Sequence, residues 1–232
     1  MIWALVENKK IKATPKTRGR CLLCGEEVIS KCGDLNVWHW AHMNIENCDS
    51  WYEPETFWHV HWKMTFGKEN VEIGIKIGKK RHIADVLTKK QVVIELQNSQ
   101  IKKQTIKERE EFYGERMLWL INGGKFKKNL IIQKYWNDKR YKELENNPEE
   151  LIKLIMEPKP EKGKNEEFFK WKYPRKSWLN VQRPVFIDLG IDSLFMVTEG
   201  MGESQIRGTY IPKEKFIMKY GGNYKYYSQH RL

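Results

Sequence analysis

The stretch that decides the fold is Val92-Val93-Ile94-Glu95-Leu96-Gln97, a nearly continuous apolar run that contains one carboxylate. Such a run is typical of a strand buried on both faces near the centre of a sheet. Glu95 and Gln97 are two residues apart and therefore point to the same face. Because a carboxylate desolvated without a partner costs several kcal/mol, we expect Glu95 to face a cation or a metal ion.

The segments on either side of this run predict two helices and several strands. Apolar residues at every second position predict a strand at 71–77, and a further strand is predicted at 82–88. A helix is predicted from Pro54 to Phe66, because proline suits the first helical turn and apolar residues then form one stripe. A charged helix from Lys102 to Arg116 and a strand at Met117–Ile121 follow. This order of helix, three strands, helix and strand indicates an α/β domain with a mixed sheet.

The sequence divides into three regions. Residues 1–52 begin with a basic, weakly alternating segment that predicts a strand, followed by an irregular module rich in cysteine and histidine. Residues 53–157 hold the helices and strands described above and end in a predicted helix at 138–156. A segment rich in helix breakers at 158–164 is the predicted linker. Residues 165–232 predict a C-terminal β-rich element that either completes the sheet, covers an edge strand or binds a protein partner.

The composition is that of a soluble folded protein with an affinity for polyanions. Apolar residues make up 40% of the 232 residues, and the formal net charge is +12. The positive charge is spread along the chain, which suits the phosphate backbone of DNA, although plain solubility explains it equally well. No apolar run reaches the roughly 20 residues of a membrane span, and charge appears too early for a secretory signal. We therefore expect a cytoplasmic protein without a membrane span.

The cysteines predict a metal site near the N-terminus. All four lie between positions 21 and 48, and in a reducing compartment such clustering favours a metal over disulfides. Cys21-x2-Cys24 followed by His39-x2-His42 offers the four nitrogen and sulfur ligands of a structural Zn²⁺ site. Because two residues between histidines is a tighter spacing than usual, another cysteine, in the first place Cys48, is the alternative to one histidine. The competing interpretation is a pair of reduced cysteines beside two histidines that only hydrogen-bond.

Asp85 and Glu95 predict a second, different metal site. Asp85 lies on the predicted strand at 82–88 and Glu95 on the next strand. A Mg²⁺ ion shared by the two would provide the partner that Glu95 needs, because Mg²⁺ takes oxygen ligands and typically binds through one or two carboxylates plus substrate phosphates. The alternatives are a solvated sheet edge or a salt bridge to Arg81 or Arg109.

Several short sequence motifs occur in a fixed order around these residues. Within about residues 15–122 the chain contains, in order, Cys21-x2-Cys24, His39-Trp40-Ala41-His42, Pro54-Glu55 with His59 and Lys63, Arg81 to Asp85, Val93-Ile94-Glu95-Leu96-Gln97-x-Ser99, Arg109 with Tyr113, and Trp119. In this order and spacing the pieces resemble the competence protein CoiA-like nuclease family. That family is assigned to the PD-(D/E)xK superfamily, so the resemblance implies a restriction-endonuclease-like mixed-sheet core.

The resemblance also implies roles for individual residues. Asp85 and Glu95 would be ligands of a catalytic Mg²⁺ or Mn²⁺ ion, and Glu55 the acid contributed by the helix, with His59 beside it. Gln97 stands where most of the superfamily has a lysine, whose charge orients the attacking water and stabilises the developing phosphorane. A glutamine can position water by hydrogen bonds but supplies no charge, so Lys63 or Arg109 would have to supply it.

Several of these residues have a second interpretation. His59 is either a general base or further metal ligand, or a structural histidine bonded to Glu55 or to a backbone carbonyl. Arg109 and Tyr113, one helical turn apart, are predicted to face the nucleic-acid groove. For Arg109, phosphate contact competes with an ion pair to a nearby glutamate. Basic runs that include Arg81 and Lys102 fit a rim that tracks DNA, although solvated faces explain each run equally well.

The sequence thus predicts a Mg²⁺-dependent deoxyribonuclease that hydrolyses phosphodiester bonds of single- or double-stranded DNA, linked by resemblance to DNA uptake or recombination. The first alternative is a non-catalytic DNA-binding accessory protein of recombination. The second is a defence or mobile-element nuclease in which residues 165–232 recognise a partner.

Overall fold

Two β-sheets organise the residues that the computed structural model describes, namely 1–43, 48–49, 51, 54–132, 147 and 166–230. The first sheet is antiparallel and has the spatial order β2-β1-β3-β4-β5. Its strands are β1 (Trp3–Val6), β2 (Lys9–Lys12), β3 (Arg18–Arg20), β4 (Glu27–Lys31) and β5 (His39–His42). The N-terminal module is therefore more regular than the sequence predicted, because β4 and β5 pair along the segment that we interpreted as irregular.

The second sheet has nine strands in the order β10-β11-β14-β13-β12-β9-β8-β7-β6. These are β6 (Val71–Ile77), β7 (Lys80–Leu87), β8 (Val93–Gln97), β9 (Met117–Asn122), β10 (Leu130–Ile132), β11 (Glu166–Trp171), β12 (Val185–Asp188), β13 (Ser193–Glu199) and β14 (Gln205–Pro212). β9 runs parallel to β8 and to β12, and the other neighbours are antiparallel. The predicted α/β class with a mixed sheet is confirmed.

Among the described residues, four α-helices flank this sheet: α1 (Phe57–Phe66), α2 (Lys103–Tyr113), α3 (Lys213–Lys219) and α4 (Tyr224–Gln229). α1 begins three residues later than predicted, because Thr56 is its N-cap and accepts a hydrogen bond from the His59 backbone N–H. α2 ends earlier than predicted, at Gly114, whose φ of 71° is disfavoured for other residues. The predicted helix at 138–156 and the linker at 158–164 lie outside the described residues.

β8 separates the two apolar layers of the second sheet. All five of its residues are buried, as the apolar run predicts. Val93 packs with Trp119 and Ile106 on the α2 side, whereas Ile94 and Leu96 pack with Trp62 on the α1 side. Glu95 consequently lies in the layer of α2, and its partner must come from there.

The C-terminal strands complete the nine-stranded sheet, which is the first of the three roles that the sequence left open. Two buried carboxylates join them to the core. Glu110 on α2 accepts hydrogen bonds from the backbone N–H groups of Gln182 and Arg183. Asp188 on β12 accepts from the indole N–H groups of Trp58 and Trp62 and pairs with Lys213; the Asp188–Lys213 distance is 2.8 Å.

None of the described helices has the length and apolar character of a membrane span.

Candidate metal cluster and acidic pocket

Cys21, Cys24, His42 and Cys48 form a compact group of possible metal ligands. Their ligand atoms all lie within 4.8 Å of one another. The Sγ atoms of Cys21 and Cys48 are 3.6 Å apart, and Cys24 Sγ is 3.3 Å from His42 Nε2. Zn–S and Zn–N bonds of normal length in a tetrahedron place such atoms about 3.8 Å and about 3.5 Å apart. The group therefore has the donor types and the size of a Zn²⁺ site with three cysteines and one histidine.

Local backbone geometry explains how the two nearer cysteines meet. The turn after β3 is closed by a hydrogen bond from Gly25 N–H to the Cys21 carbonyl, at 3.1 Å. Gly25 has φ of 76°, which a residue with a side chain rarely adopts. This turn returns Cys24 to the side of Cys21, and the paired strands β4 and β5 bring His42 to the same place.

His39 is not part of the group, and the expectation that it is a ligand is replaced by Cys48. His39 and His42 are three residues apart on β5, and side chains at an odd separation point to opposite faces of a strand. His39 Nδ1 lies 2.8 Å from the Val37 carbonyl oxygen instead. Cys48, the alternative that the sequence left open, supplies the fourth donor.

Zinc content should separate the two sets of ligands. We expect about one zinc per chain in the wild type and in His39→Ala, but substoichiometric zinc in Cys48→Ser and His42→Ala, because three ligands bind more weakly than four. Elemental analysis of the purified full-length chain measures this. The opposite pattern, with zinc lost from His39→Ala and kept by Cys48→Ser, would show that His39 is the fourth zinc ligand and Cys48 is not.

A cavity of about 130 Å³ lies between the first sheet and the core of the second. The first sheet and the segment after it contribute Trp40, His42, Cys48, Asp49 and Trp51 to its wall. The opposite wall is strongly ionic and contains Glu55, Lys63, Glu72, Asp85 and Arg109. We call this cavity the acidic pocket. The metal cluster borders it directly, because His42 and Cys48 belong to both.

Lys63 is the electrostatic centre of the acidic pocket. Its Nζ lies 2.7 Å from Glu55 Oε1, 3.1 Å from Glu72 Oε1 and 3.0 Å from Asp85 Oδ1. The Lys63 side chain is 3% exposed. Burial alone would lower the pKa of Lys63, but the three carboxylates outweigh it and hold the pKa well above its usual value. Lys63 is therefore a buried ammonium ion.

Glu72 is a site residue that sequence reasoning missed. The register that pairs Val71 with Val86 and Ile73 with Ala84 sets Glu72 opposite Asp85, where like charges repel unless a cation lies between them. Glu72 has φ of 49° and accepts hydrogen bonds from the backbone N–H groups of Ile2 and Trp3, at 2.7 and 2.9 Å. In the alternating pattern of residues 71–77 it resembled an outward-facing polar residue, and no signal in the sequence set it apart.

The pH dependence of stability should report on Glu72. Burial would raise its pKa, but Lys63, the Met1 ammonium group and the two backbone donors prevail and lower it from 4.5 to about 2. An acid with a lowered folded-state pKa stabilises the protein fully above its unfolded-state pKa, and the stabilisation disappears as the pH falls toward the folded-state value. We expect the urea midpoint to fall between about pH 5 and pH 2.5, and to fall less in Glu72→Gln. If the urea midpoint depends on pH equally in the wild type and in Glu72→Gln, Glu72 does not contribute to this pH dependence.

Asp85 and Glu95 lie where β7 and β8 separate. The strands pair at Val86 and Ile94, and beyond that point side chains replace the backbone ladder. Asp85 Oδ2 accepts the Leu96 N–H at 2.9 Å, and Glu95 Oε2 accepts from the Arg109 guanidinium at 2.8 Å. Burial raises the pKa of Glu95 to about 8 although Arg109 opposes it.

The resemblance implied that Glu55, Asp85 and Glu95 belong to one metal site. In the structure these three acids do not form one cluster of metal ligands. Glu55 and Asp85 share Lys63 in the acidic pocket, whereas Glu95 points to the α2 layer, where Arg109 binds it. Within the described part of the chain, the cysteine and histidine group is the one set of three or more potential ligands within mutual reach. For Arg109, the ion pair is the interpretation that the structure favours.

The remaining predicted site residues lie as follows. His59 is buried, with Nδ1 2.9 Å from Thr56 Oγ1 and Nε2 3.2 Å from the Leu96 carbonyl oxygen, which favours the structural interpretation. Gln97 is fully buried on the face of Glu95 and does not line the acidic pocket; its amide lies near Ser99. Three further residues lie outside the pocket wall: half-buried Tyr113 and Arg81, and exposed Lys102.

Comparison with known proteins gives one match. The family described as competence protein CoiA, N-terminal domain, matches residues 4–50. The matched segment contains the strands β2 to β5 and all four residues of the metal cluster. No curated protein and no solved structure matches the chain. The match covers the N-terminal fifth of the chain, and in that segment it supports a relationship to the competence protein CoiA family.

Proposed function

We propose that this protein is a metal-dependent nuclease that hydrolyses phosphodiester bonds of DNA in the acidic pocket. The observation that carries the proposal is the buried Lys63 ammonium ion between Glu55, Glu72 and Asp85. The succession α1-β6-β7-β8-α2-β9, with β9 parallel to β8, supports it as a mixed-sheet core of the kind expected from the resemblance. The family match supports a link to competence and hence to DNA uptake or recombination.

Lys63 can perform the task of the lysine that Gln97 replaces. Its Nζ is 3.0 Å from Asp85 although it belongs to α1 rather than to β8. A fixed cation at this carboxylate stabilises negative charge that develops on a phosphate in the pocket. The position of Gln97 outside the pocket then has no bearing on catalysis.

The metal ion of this proposal is Mg²⁺ or Mn²⁺, which prefers oxygen ligands, and Glu55 and Asp85 are the carboxylates that would bind it. Glu55 Oε2 is buried and has no hydrogen-bond partner among the described residues, so one carboxylate oxygen is available for a cation. Asp85 and the Leu96 carbonyl lie in the same wall. A bound ion would polarise the scissile phosphate and lower the pKa of a coordinated water molecule. The chain itself holds the phosphate near Lys63 and limits access of bulk water.

The dimensions of the pocket favour single-stranded DNA. The cavity is a narrow space of about 130 Å³ between the first sheet and the core of the second. The first sheet forms one wall, so the rigid outer edge of a duplex would meet this sheet before its phosphates reached Asp85. A flexible single strand can bend into the gap. The net charge of +12 supplies attraction for either form.

Cleavage assays on end-labelled oligonucleotides test the proposal. With Mg²⁺ or Mn²⁺ we expect the wild type to cut single strands at least about tenfold faster than duplexes of the same sequence, and to cut neither in EDTA. Faster cutting of duplexes would contradict the argument from pocket size. Salt-dependent binding without cutting under all conditions would favour the non-catalytic accessory protein instead.

A further inference from the structure

The segment that follows the metal cluster contacts the core of the second sheet through Asp49 and Trp51. Cys48 belongs to the cluster, and the next residue, Asp49, is almost fully buried. Asp49 Oδ1 lies 2.9 Å from His82 Nδ1, and its Oδ2 accepts the Ile83 backbone N–H at 2.7 Å. Both contacts are on β7, only two residues before Asp85. We call Cys48, Asp49 and Trp51 the strap.

Trp51 extends the strap to α2. Its ring stacks on the His82 ring, with centroids 3.2 Å apart and planes within 5°. Its carbonyl accepts a hydrogen bond of 2.8 Å from Arg109, whose guanidinium carbon lies 5.4 Å from the Trp51 ring centroid. Arg109 in turn binds Glu95 at 2.8 Å. A continuous chain of contacts therefore leads from Cys48 to Glu95.

The strap also determines what Arg109 can do. A guanidinium binds its partners in a fixed planar geometry, so the Trp51 carbonyl and the Glu95 carboxylate together fix its orientation. Arg109 lines the acidic pocket, whereas Glu95 does not. If Trp51 moved away, Arg109 would lose one of these two anchors, and the cation and the carboxylate could both rearrange.

We propose that the metal cluster positions the second site, so that the two act as one unit. A metal ion bound to Cys48 fixes the strap; Asp49 and Trp51 are positioning residues that hold β7 beside Asp85 and Arg109 against Glu95. Loss of the ion frees Cys48 and with it the strap. This goes beyond a zinc site that only folds the first sheet, and it does not depend on whether the acidic pocket cuts DNA.

Hydrogen exchange of the full-length chain tests the coupling. We expect removal of zinc by a chelator to accelerate exchange in residues 80–87 and 103–113 at least about tenfold, as well as in the first sheet, because the charge-assisted bonds of the strap protect them. Strand β14, at Gln205–Pro212, is the internal reference and should keep its protection. If zinc removal exposes the first sheet alone, the proposal is wrong.

A variant with the metal still bound separates the strap from general unfolding. Asp49→Asn loses the charge that holds His82 and Ile83, and in the Co²⁺-loaded protein we expect normal thiolate-to-cobalt absorption but roughly tenfold faster exchange of the Ile83 amide. Asp34→Asn, an exposed change in the same N-terminal region, is the matched control and should leave exchange unchanged. Unchanged exchange at Ile83 in Asp49→Asn would overturn the proposal, even if zinc removal unfolds the whole chain.

Discussion

Replacing Lys63 by methionine should lower the free energy of unfolding by about 3–5 kcal/mol, because it removes the cation closest to three buried carboxylates and leaves them short of a counter-charge. Methionine keeps much of the length and apolar volume of the lysine stem, so little of the loss would come from a cavity. Glu55, Glu72 and Asp85 would then face one another without the ammonium ion that lies within 2.7 to 3.1 Å of each. Urea unfolding at pH 7 measures the difference.

Lys213→Met is the matched control for this experiment. Lys213 is also buried and forms an ion pair of 2.8 Å with Asp188, but it does not line the acidic pocket. We expect both variants to lose stability, but only Lys63→Met to lose cleavage of single-stranded DNA, measured at a temperature at which both remain folded. Cleavage lost equally in the two variants would assign the effect of Lys63 to stability alone.

A second substitution should partly restore the stability that Lys63→Met loses. Glu72→Gln removes one of the uncompensated charges, so the double variant Lys63→Met/Glu72→Gln should be more stable than Lys63→Met, although Glu72→Gln alone is destabilising. A stability change within about 0.5 kcal/mol of zero in Lys63→Met would contradict the ionic account of the pocket.

The sequence predicted correctly those parts of the core in which the residue pattern of a single helix or strand determines its structure. The apolar run 92–97 is the buried strand β8, the alternation at 71–77 is β6, and the helices on either side are α1 and α2. These patterns depend on periodicity, which is local. Cys48 could be named as an alternative ligand for another reason: the sequence contains few cysteine and histidine donors near Cys21 and Cys24.

The contacts inside the site depend on the fold and could not be read from spacing. Lys63 reaches Glu72 only because the β6–β7 hairpin sets Glu72 opposite Asp85 beneath α1. Glu95 binds Arg109 because β8 presents it to the α2 layer, while Asp85 turns to Lys63. The exclusion of His39 also depends on the fold: the sequence predicted an irregular module there, and only on strand β5 do two histidines three positions apart point to opposite faces.

We propose that Asp85 and Lys63 together form the catalytic site for DNA hydrolysis. Asp85→Asn keeps the shape of the side chain and an oxygen for the Leu96 N–H, but it removes the charge that pairs with Lys63 and that a divalent cation would need. Asp34→Asn, exposed and remote from the pocket wall, is the control for a lost carboxylate.

The most direct measurement is the rate of Mg²⁺- or Mn²⁺-dependent cleavage of single-stranded DNA by the wild type, Asp85→Asn and Asp34→Asn, at equal metal and protein concentrations. We expect wild-type rates from Asp34→Asn and a loss of roughly a thousandfold or more from Asp85→Asn, with DNA binding retained. Cleavage by Asp85→Asn at the wild-type rate, or no cleavage by the wild type with either metal, would contradict the account.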